Sequence, residues 1–355
     1  MTVDVIDAQR NWDVDPGWLN TASFGLPPRA GWDALQEALE QWRSGRGVWE
    51  EWQQSADTGR ASFARLVGVG VEDVFAGSTV SAAMALIAAS IPDGSTVLVT
   101  DIEFASNVFP WAAHADRGVT VVAAPVERLV DRIDDGIDVV AIGLVQSATG
   151  QVSDLAAVSA AARAAGALVI VDATQAVGWL PVDAGLTDAC VAGTYKWLMT
   201  PRGATFGYVS PQLQELMSPL QSGWSAAVDD RYYGLEARLF EGARRYDQAP
   251  TWFTHVAAAP TLELVEAIGV EAIHRHDLAL ANAFRAGLGM APGSSAIVSA
   301  DVPGAEERFA AADIRASARS GRLRVSFHVY STQADVDLAL GALEGLVPRQ
   351  PGSAS

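Results

Sequence analysis

The chain has 355 residues, half of them hydrophobic and 19% charged, with a formal net charge of −18. That is material for one large or two moderate domains with a buried core, and its acidity speaks against nucleic acid and an anionic membrane surface as partners, since both require clustered cations. One cysteine, Cys190, rules out a disulfide framework within the chain; no apolar run is long enough for a membrane span, and the first residues lack the basic start and apolar run of a signal peptide, so a soluble cytoplasmic protein is expected.

In chain order, Trp18 to Pro28 is an irregular opening rich in turn residues, and its Asn20–Pro28 part is placed to line a site. Helical spacing follows over Asp33–Arg43 and Trp49–Leu66. From Val71 to Val209 short β-branched runs (Thr96–Thr100, Val119–Ala123, Val139–Val145, Leu168–Val171, Phe206–Val209) alternate with Ala-rich helical stretches (Ser81–Ser90, Ala105–Arg117, Leu155–Ala165). Asp188–Ala192 adds a short buried strand holding Cys190. Apolar strands separated by helices predict an α/β fold with a mostly parallel central sheet covered on both faces. Residues 217–253 are aperiodic and aromatic, the mark of a functional loop or an interface. Helix resumes over Pro260–Leu288, and Arg319–Leu346 reads as strand, turn, strand, turn, helix, a small α+β C-terminal domain. The expected division is a large domain over 21–255, a small domain from 1–20 and 256–348, and a polar tail over 349–355. His274 and His276 form the one close histidine pair, and their spacing puts them on different helix faces, so no metal is expected.

The chemistry centres on Lys196. It is the only lysine, although Lys and Arg total 24. Arginine replaces lysine as a surface cation, but a guanidinium cannot lose a proton, form an imine or serve as a base. A Schiff-base lysine with a carbonyl partner is therefore indicated. Ser78-Thr79-Val80-Ser81 opens an Ala-rich helix, where free N–H groups and hydroxyls either seat a phosphate or simply cap the helix. Asp172 stands at the tip of an apolar strand, where α/β sheets bind ligands. Phe104 follows another strand end, and Arg324 lies in an alternating strand, facing either solvent or a carboxylate.

Together and in this order these segments resemble the class V aminotransferase-like family of pyridoxal 5'-phosphate (PLP) enzymes, which includes cysteine desulfurases and kynureninases, over about Leu19 to Leu343. The resemblance implies fold type I and a role for each matching residue. Lys196 would carry the cofactor as a Schiff base and then take the substrate Cα proton. Asp172 would pair with the pyridine nitrogen, and Gln175 would lie by the ring's 3-hydroxyl. Ser78, Thr79, Val80 and Tyr195 would hold the phosphate, Phe104 would cover the ring, and Arg324 would bind the substrate α-carboxylate. Arg245-Tyr246-Asp247 resembles a segment lent across a homodimer with shared active sites. Three departures stand out. Residues 300–326 contain no cysteine to carry a persulfide, Phe104 replaces a histidine, and Gln146-Ser147 replaces the family's Ser-Asn, leaving Ser147 or Gln146 to make that cofactor contact. Phrases such as Leu19-Asn20-Thr21-Ala22, Tyr195-Lys196-Trp197-Leu198 and Ser222-Gly223-Trp224 are similar to bacterial PLP lyases of ergothioneine biosynthesis, which cleave a cysteine sulfoxide conjugate. Asn20 and Trp224 thereby become substrate-binding candidates, with the aromatic loop around Trp224 and Tyr232 suited either to a cationic betaine or to dimer packing. The expected activity is C–S β-elimination, with transamination and epimerisation as the alternatives.

Overall fold

Residues 3–228, 233–234 and 238–346 are described by the structure, a computed structural model. The central strands are β1 (Val74–Gly77), β2 (Thr96–Thr100), β3 (Thr120–Ala124), β4 (Val139–Gly143), β5 (Leu168–Asp172), β6 (Ala189–Gly193) and β7 (Thr205–Val209), and all but β1 grow from the short apolar runs. They form a seven-stranded sheet in the order β1-β7-β6-β5-β4-β2-β3. The pairs from β6 through β3 are parallel, whereas β7 runs antiparallel to both β6 and β1.

Side chains of a strand alternate between faces, and here both faces are buried. Along β4, Val140 and Ile142 join one core cluster while Val139 and Ala141 join the other. β5 repeats this with Val169 and Val171 against Ile170, and β6 with Cys190 and Ala192 against Ala189 and Val191. Apolar side chains at every position, rather than every second one, mark a sheet with helices on both sides. Burial pushes the Cys190 thiol up to about 12.

A second sheet lies near the C-terminus, with strands β8 (Ile297–Ala300), β9 (Ser317–Arg319) and β10 (Arg322–Ser326) in the antiparallel order β8-β10-β9. It has its own core, built from Leu19, Phe284, Phe309, Val325, Phe327 and neighbours. The bridge Asn20↔Ser326 ties the N-terminal segment to β10.

Several elements differ from expectation. The helix predicted over Ala105–Arg117 is broken into 3-10 turns at Ala105–Asn107 and Ala115–Arg117 around a single turn at Phe109–Ala112. Pro110 lacks the N–H that would extend the preceding turn. The stretch after Pro260 is two helices, Trp252–Ile268 and Val270–Gly287, parted by Gly269 at φ 88°, and Pro260 is carried inside the first. β1 and β8, four residues each, were not singled out from the sequence. Residues 349–355 lie outside the described residues, and so does Tyr232. Among the described residues no helix is long and apolar enough to cross a membrane.

Candidate active site

Lys196 sits in the turn joining β6 to β7, closed at its base by the pairing Gly193↔Thr205. Three successive carbonyls of this turn are held. That of Tyr195 accepts from the Gly25 N–H at 2.9 Å and that of Lys196 from the Met199 N–H at 3.1 Å. The Trp197 carbonyl accepts from His328 Nε2 at 2.9 Å. Packing here leaves no room for side chains: a Cβ on Gly25 would stand 2.1 Å from the Lys196 carbonyl oxygen. Gly178, at φ +111°, would place one 2.5 Å from that of Trp197.

The Lys196 side chain is buried, and its pKa falls from 10.5 to about 8. Burial is the main cause; Asp172 opposes it, and the cations Arg324, Arg202 and Arg319 add to it. Asp172, at the C-terminal end of β5, accepts the Thr174 N–H on Oδ1 at 2.9 Å. Among the described residues its Oδ2 has no hydrogen-bond partner, and the side chain lines the same cleft as Lys196. Phe104 and Tyr195 place their ring centroids 5.7 Å and 5.6 Å from Lys196 Nζ.

At one end of the cleft the helix Val80–Ala88 presents its N-terminus. Thr79 is its N-cap, accepting the Ala82 N–H at 3.2 Å. The Ser78 N–H and hydroxyl both donate to Gln248 Oε1, at 3.0 and 2.7 Å. Arg202 lies over the Tyr195 ring, its guanidinium carbon 4.4 Å from the centroid, and among the described residues it has no carboxylate partner. An N-terminal helix turn, hydroxyls and a cation free of acids make an anion seat.

Arg324, whose charge helps lower the Lys196 pKa although it is not among the residues lining the cleft, is 2% exposed and is bound by neutral groups alone. Its Nε donates to Ser317 Oγ at 3.1 Å, Nη1 to the Ser147 carbonyl at 2.6 Å and to Ser147 Oγ at 3.2 Å, and Nη2 to Ser23 Oγ at 2.8 Å. Burial and Arg319 bring its pKa down to about 10. A buried cation without a counter-ion is costly. Asn20 takes part at one remove, accepting the Ser23 hydroxyl at 2.7 Å.

Gln175 lines the cleft, but its amide is spent on the protein. Nε2 donates to the Ala22 carbonyl at 2.9 Å and Ser147 Oγ at 3.0 Å, and Oε1 accepts from Trp197 Nε1 at 2.8 Å. With both donors taken, it ties the N-terminal segment, the Ser147 loop and the lysine turn together. Trp224 is not among the residues lining the cleft; its ring meets Trp49 edge-on at 5.3 Å. The segment Arg245-Tyr246-Asp247 makes the following bonds within its own chain. Asp247 pairs with Arg60 at 2.6 Å with both side chains buried, and the Tyr246 hydroxyl donates to the Gln214 carbonyl at 3.1 Å.

Sequence reasoning passed over Glu103, Thr174, Arg202 and His328. Glu103 lines the cleft and is held by the Gly143 N–H at 2.8 Å and the Thr100 hydroxyl at 2.9 Å, with its pKa raised chiefly by burial. Thr174 Oγ1 accepts the Gly193 N–H at 3.1 Å, joining the ends of β5 and β6.

The family described as aminotransferase class-V matches residues 33–306. The chain belongs to that family. Its members use PLP. The uncharacterized aminotransferase YcbU of Bacillus subtilis is 30% identical over 238 residues, 64% of this chain and 63% of that protein. A kynureninase of Deinococcus radiodurans is 27% identical over 271 residues, 72% of this chain and 63% of that protein. The chain thus spans less than two thirds of the length of either relative. The fold is similar to that of an apo cysteine desulfurase from Thermococcus onnurineus, with TM-score 0.84 and 20% identity over 97% of this chain and 98% of the other. It is likewise similar to the cystine C-S lyase C-DES, with TM-score 0.85 and 19% identity over 94% and 99%. The mostly parallel sheet and small antiparallel C-terminal sheet are those of PLP fold type I.

The residues present suit the cofactor. The helix N-terminus with Arg202 fits a phosphate, the free oxygen of Asp172 a protonated ring nitrogen, Phe104 a ring face, and the deprotonatable Lys196 an aldehyde.

Proposed function

We propose that this chain is a PLP-dependent C–S β-lyase acting on an S-substituted cysteine or cysteine sulfoxide. The sulfoxide conjugate cleaved in ergothioneine biosynthesis, hercynylcysteine sulfoxide, is the specific candidate, supported by the sequence phrases around Asn20, Lys196 and Trp224. One observation carries the choice between lyase and desulfurase. The chain's one cysteine, Cys190, is wholly buried in β6 with its thiol raised to about 12. It cannot take sulfur from a substrate, so sulfur must leave with its own substituent.

PLP, when bound, supplies a ring that takes up the electron pair released at the substrate Cα. Asp172 holds a proton on the ring nitrogen and so keeps that sink electron-poor. Ser78, Thr79, Val80, Tyr195 and Arg202 seat the phosphate, Phe104 covers the ring, and Ser147 and Gln175 fix the lysine turn beside it. Arg324 binds the α-carboxylate and so orients the Cα–H bond. Lys196 Nζ, whose pKa burial lowers to about 8, gives up its own proton far more readily than an exposed lysine and as the amine accepts the Cα proton. The Cβ–S bond then breaks with its electron pair leaving on sulfur, and water releases the remaining carbon skeleton as pyruvate and ammonia. A homodimer is part of this reading.

Purified protein loaded with PLP and given an S-alkylcysteine sulfoxide should yield pyruvate, ammonia and a sulfenic product in equal amounts. Conversion of an amino acid and a keto acid without pyruvate would establish an aminotransferase instead. Exchange of the Cα proton with no group lost would establish an epimerase. Lys196→Ala should remove both turnover and the cofactor's violet absorbance.

A further inference from the structure

Of the three carbonyls held around Lys196, two are bonded by backbone N–H groups of ordinary strength and the third by an ionisable side chain. His328 is fully buried, two residues beyond the end of β10. Its Nε2 faces the Trp197 carbonyl at 2.9 Å and its Nδ1 faces Asp277 Oδ2 at 2.9 Å. A carbonyl only accepts, so Nε2 carries a proton whichever way the pair shares the other one. Asp277, in the helix Val270–Gly287, is also fully buried. Among the described residues its Oδ1 has no hydrogen-bond partner, so the carboxyl's one hydrogen bond is to the imidazole. On the same helix, His276 bonds the Ser331 carbonyl at 2.9 Å and His274 stacks on Trp179 with centroids 5.6 Å apart. The His328 ring also meets the Trp197 indole edge-on at 5.1 Å.

Two buried ionisable groups are a poor way to fill a core, since apolar side chains of that size would do it at less cost. What apolar side chains cannot do is donate to the Trp197 carbonyl. We infer that His328, backed by Asp277, is a positioning residue for Lys196, clamping the peptide that follows the lysine. The inference rests on Lys196 being the reacting amine. One short piece of backbone then sets both halves of the reaction geometry. Arg324 on β10 fixes the substrate carboxylate, and four residues later His328 fixes the turn from which the amine must reach the neighbouring carbon.

The test compares His328→Leu, His328→Gln and Asp277→Asn with the parent protein. The first readout uses no cofactor. Because Lys196 is the only lysine, an amine-directed reagent can mark only Lys196 and the N-terminus, and peptide masses separate them. His328→Leu should label Lys196 several-fold faster in the cofactor-free protein, as the turn loosens. The second readout is steady-state kinetics on the loaded enzyme. Groups that orient metal ligands through a second hydrogen bond are worth roughly 10- to 100-fold in activity, and by analogy kcat should fall by about that factor while KM stays within about twofold. His328→Gln, which keeps an N–H donor, should recover most of the loss. Unchanged labelling and unchanged kcat in folded His328→Leu would overturn the inference. Should that variant fail to fold, wild-type labelling and kcat in both His328→Gln and Asp277→Asn would overturn it equally. Failure to bind PLP would sink the proposed function but leave the labelling result standing.

Discussion

Arg324 reaches the Ser147 carbonyl at 2.6 Å, so a strand of the C-terminal sheet and the loop after β4 of the central sheet share one guanidinium. Every partner of that guanidinium is neutral. Replacing it with Gln should remove the charge a substrate carboxylate needs and raise KM. With buried charge-assisted contacts costing about 2–5 kcal/mol when truncated, kcat/KM should drop by roughly 30- to 4,000-fold. Arg324→Lys should recover little, because an ammonium cannot span Ser317, Ser147 and Ser23 at once. Initial rates over a range of substrate concentrations check both.

The lysine's lowered pKa has a pH signature with a definite sign. In the cofactor-free protein, Lys196 should react with amine reagents at a rate that is half-maximal near pH 8. Below about 8 the amine is protonated in both folded and unfolded chains. Between about 8 and the ordinary value of 10.5 the unfolded chain holds the proton and the folded chain does not. Stability therefore rises with pH through that window. The parent should gain on Lys196→Met from pH 8 to 10 in denaturant titrations; a constant difference would contradict it.

Arg202→Gln should weaken the hold on the phosphate while sparing the chemistry. A lost charge-assisted contact predicts an increase of about 10- to 100-fold in the dissociation constant for PLP. At saturating cofactor, kcat should stay within about threefold. Absorbance titration of the cofactor-free protein measures the first and rates at excess PLP the second.

Arg60 and Asp247 form a buried pair at 2.6 Å outside the cleft lining. Asp247→Ala leaves the buried guanidinium with only the half-exposed Asp57 at 3.3 Å and the Val74 carbonyl at 3.2 Å, and strips the Ala76 N–H of its 2.8 Å acceptor. Thermal and denaturant unfolding should show a loss of about 3–5 kcal/mol. A variant refolded at low temperature should keep its affinity for PLP.

The sequence made the lysine turn, the strand-end Asp172 and the layered sheet legible, because each leaves a local mark. Lys196 is unique in type, Asp172 closes an apolar run, and β4 to β6 are apolar at every position. Arg202 left no such mark. In a chain whose other cations are all arginine, a functional arginine looks like a solvated one until its lack of a carboxylate partner is seen. His328 and Asp277 are 51 residues apart, and only the docking of the C-terminal sheet on the lysine turn brings them together. Gln175 shows the converse: its position in the resemblance was right for the cleft, but the number of bonds it already makes is a property of three loops at once. Trp224, chosen for its aromatic character, went to an aromatic cluster with Trp49, since a large flat ring satisfies a packing gap as readily as a ligand.

Cys190 is the second residue of β6, a strand flanked by β5 and β7 and covered on both faces. A thiol in that position is silent towards disulfide reagents until the strand ladder itself comes apart, and the chain holds no second thiol to confuse the signal. The rate at which such a reagent marks the native protein is therefore a clock for global opening, and filling the cleft, by stabilising the native state, should slow it.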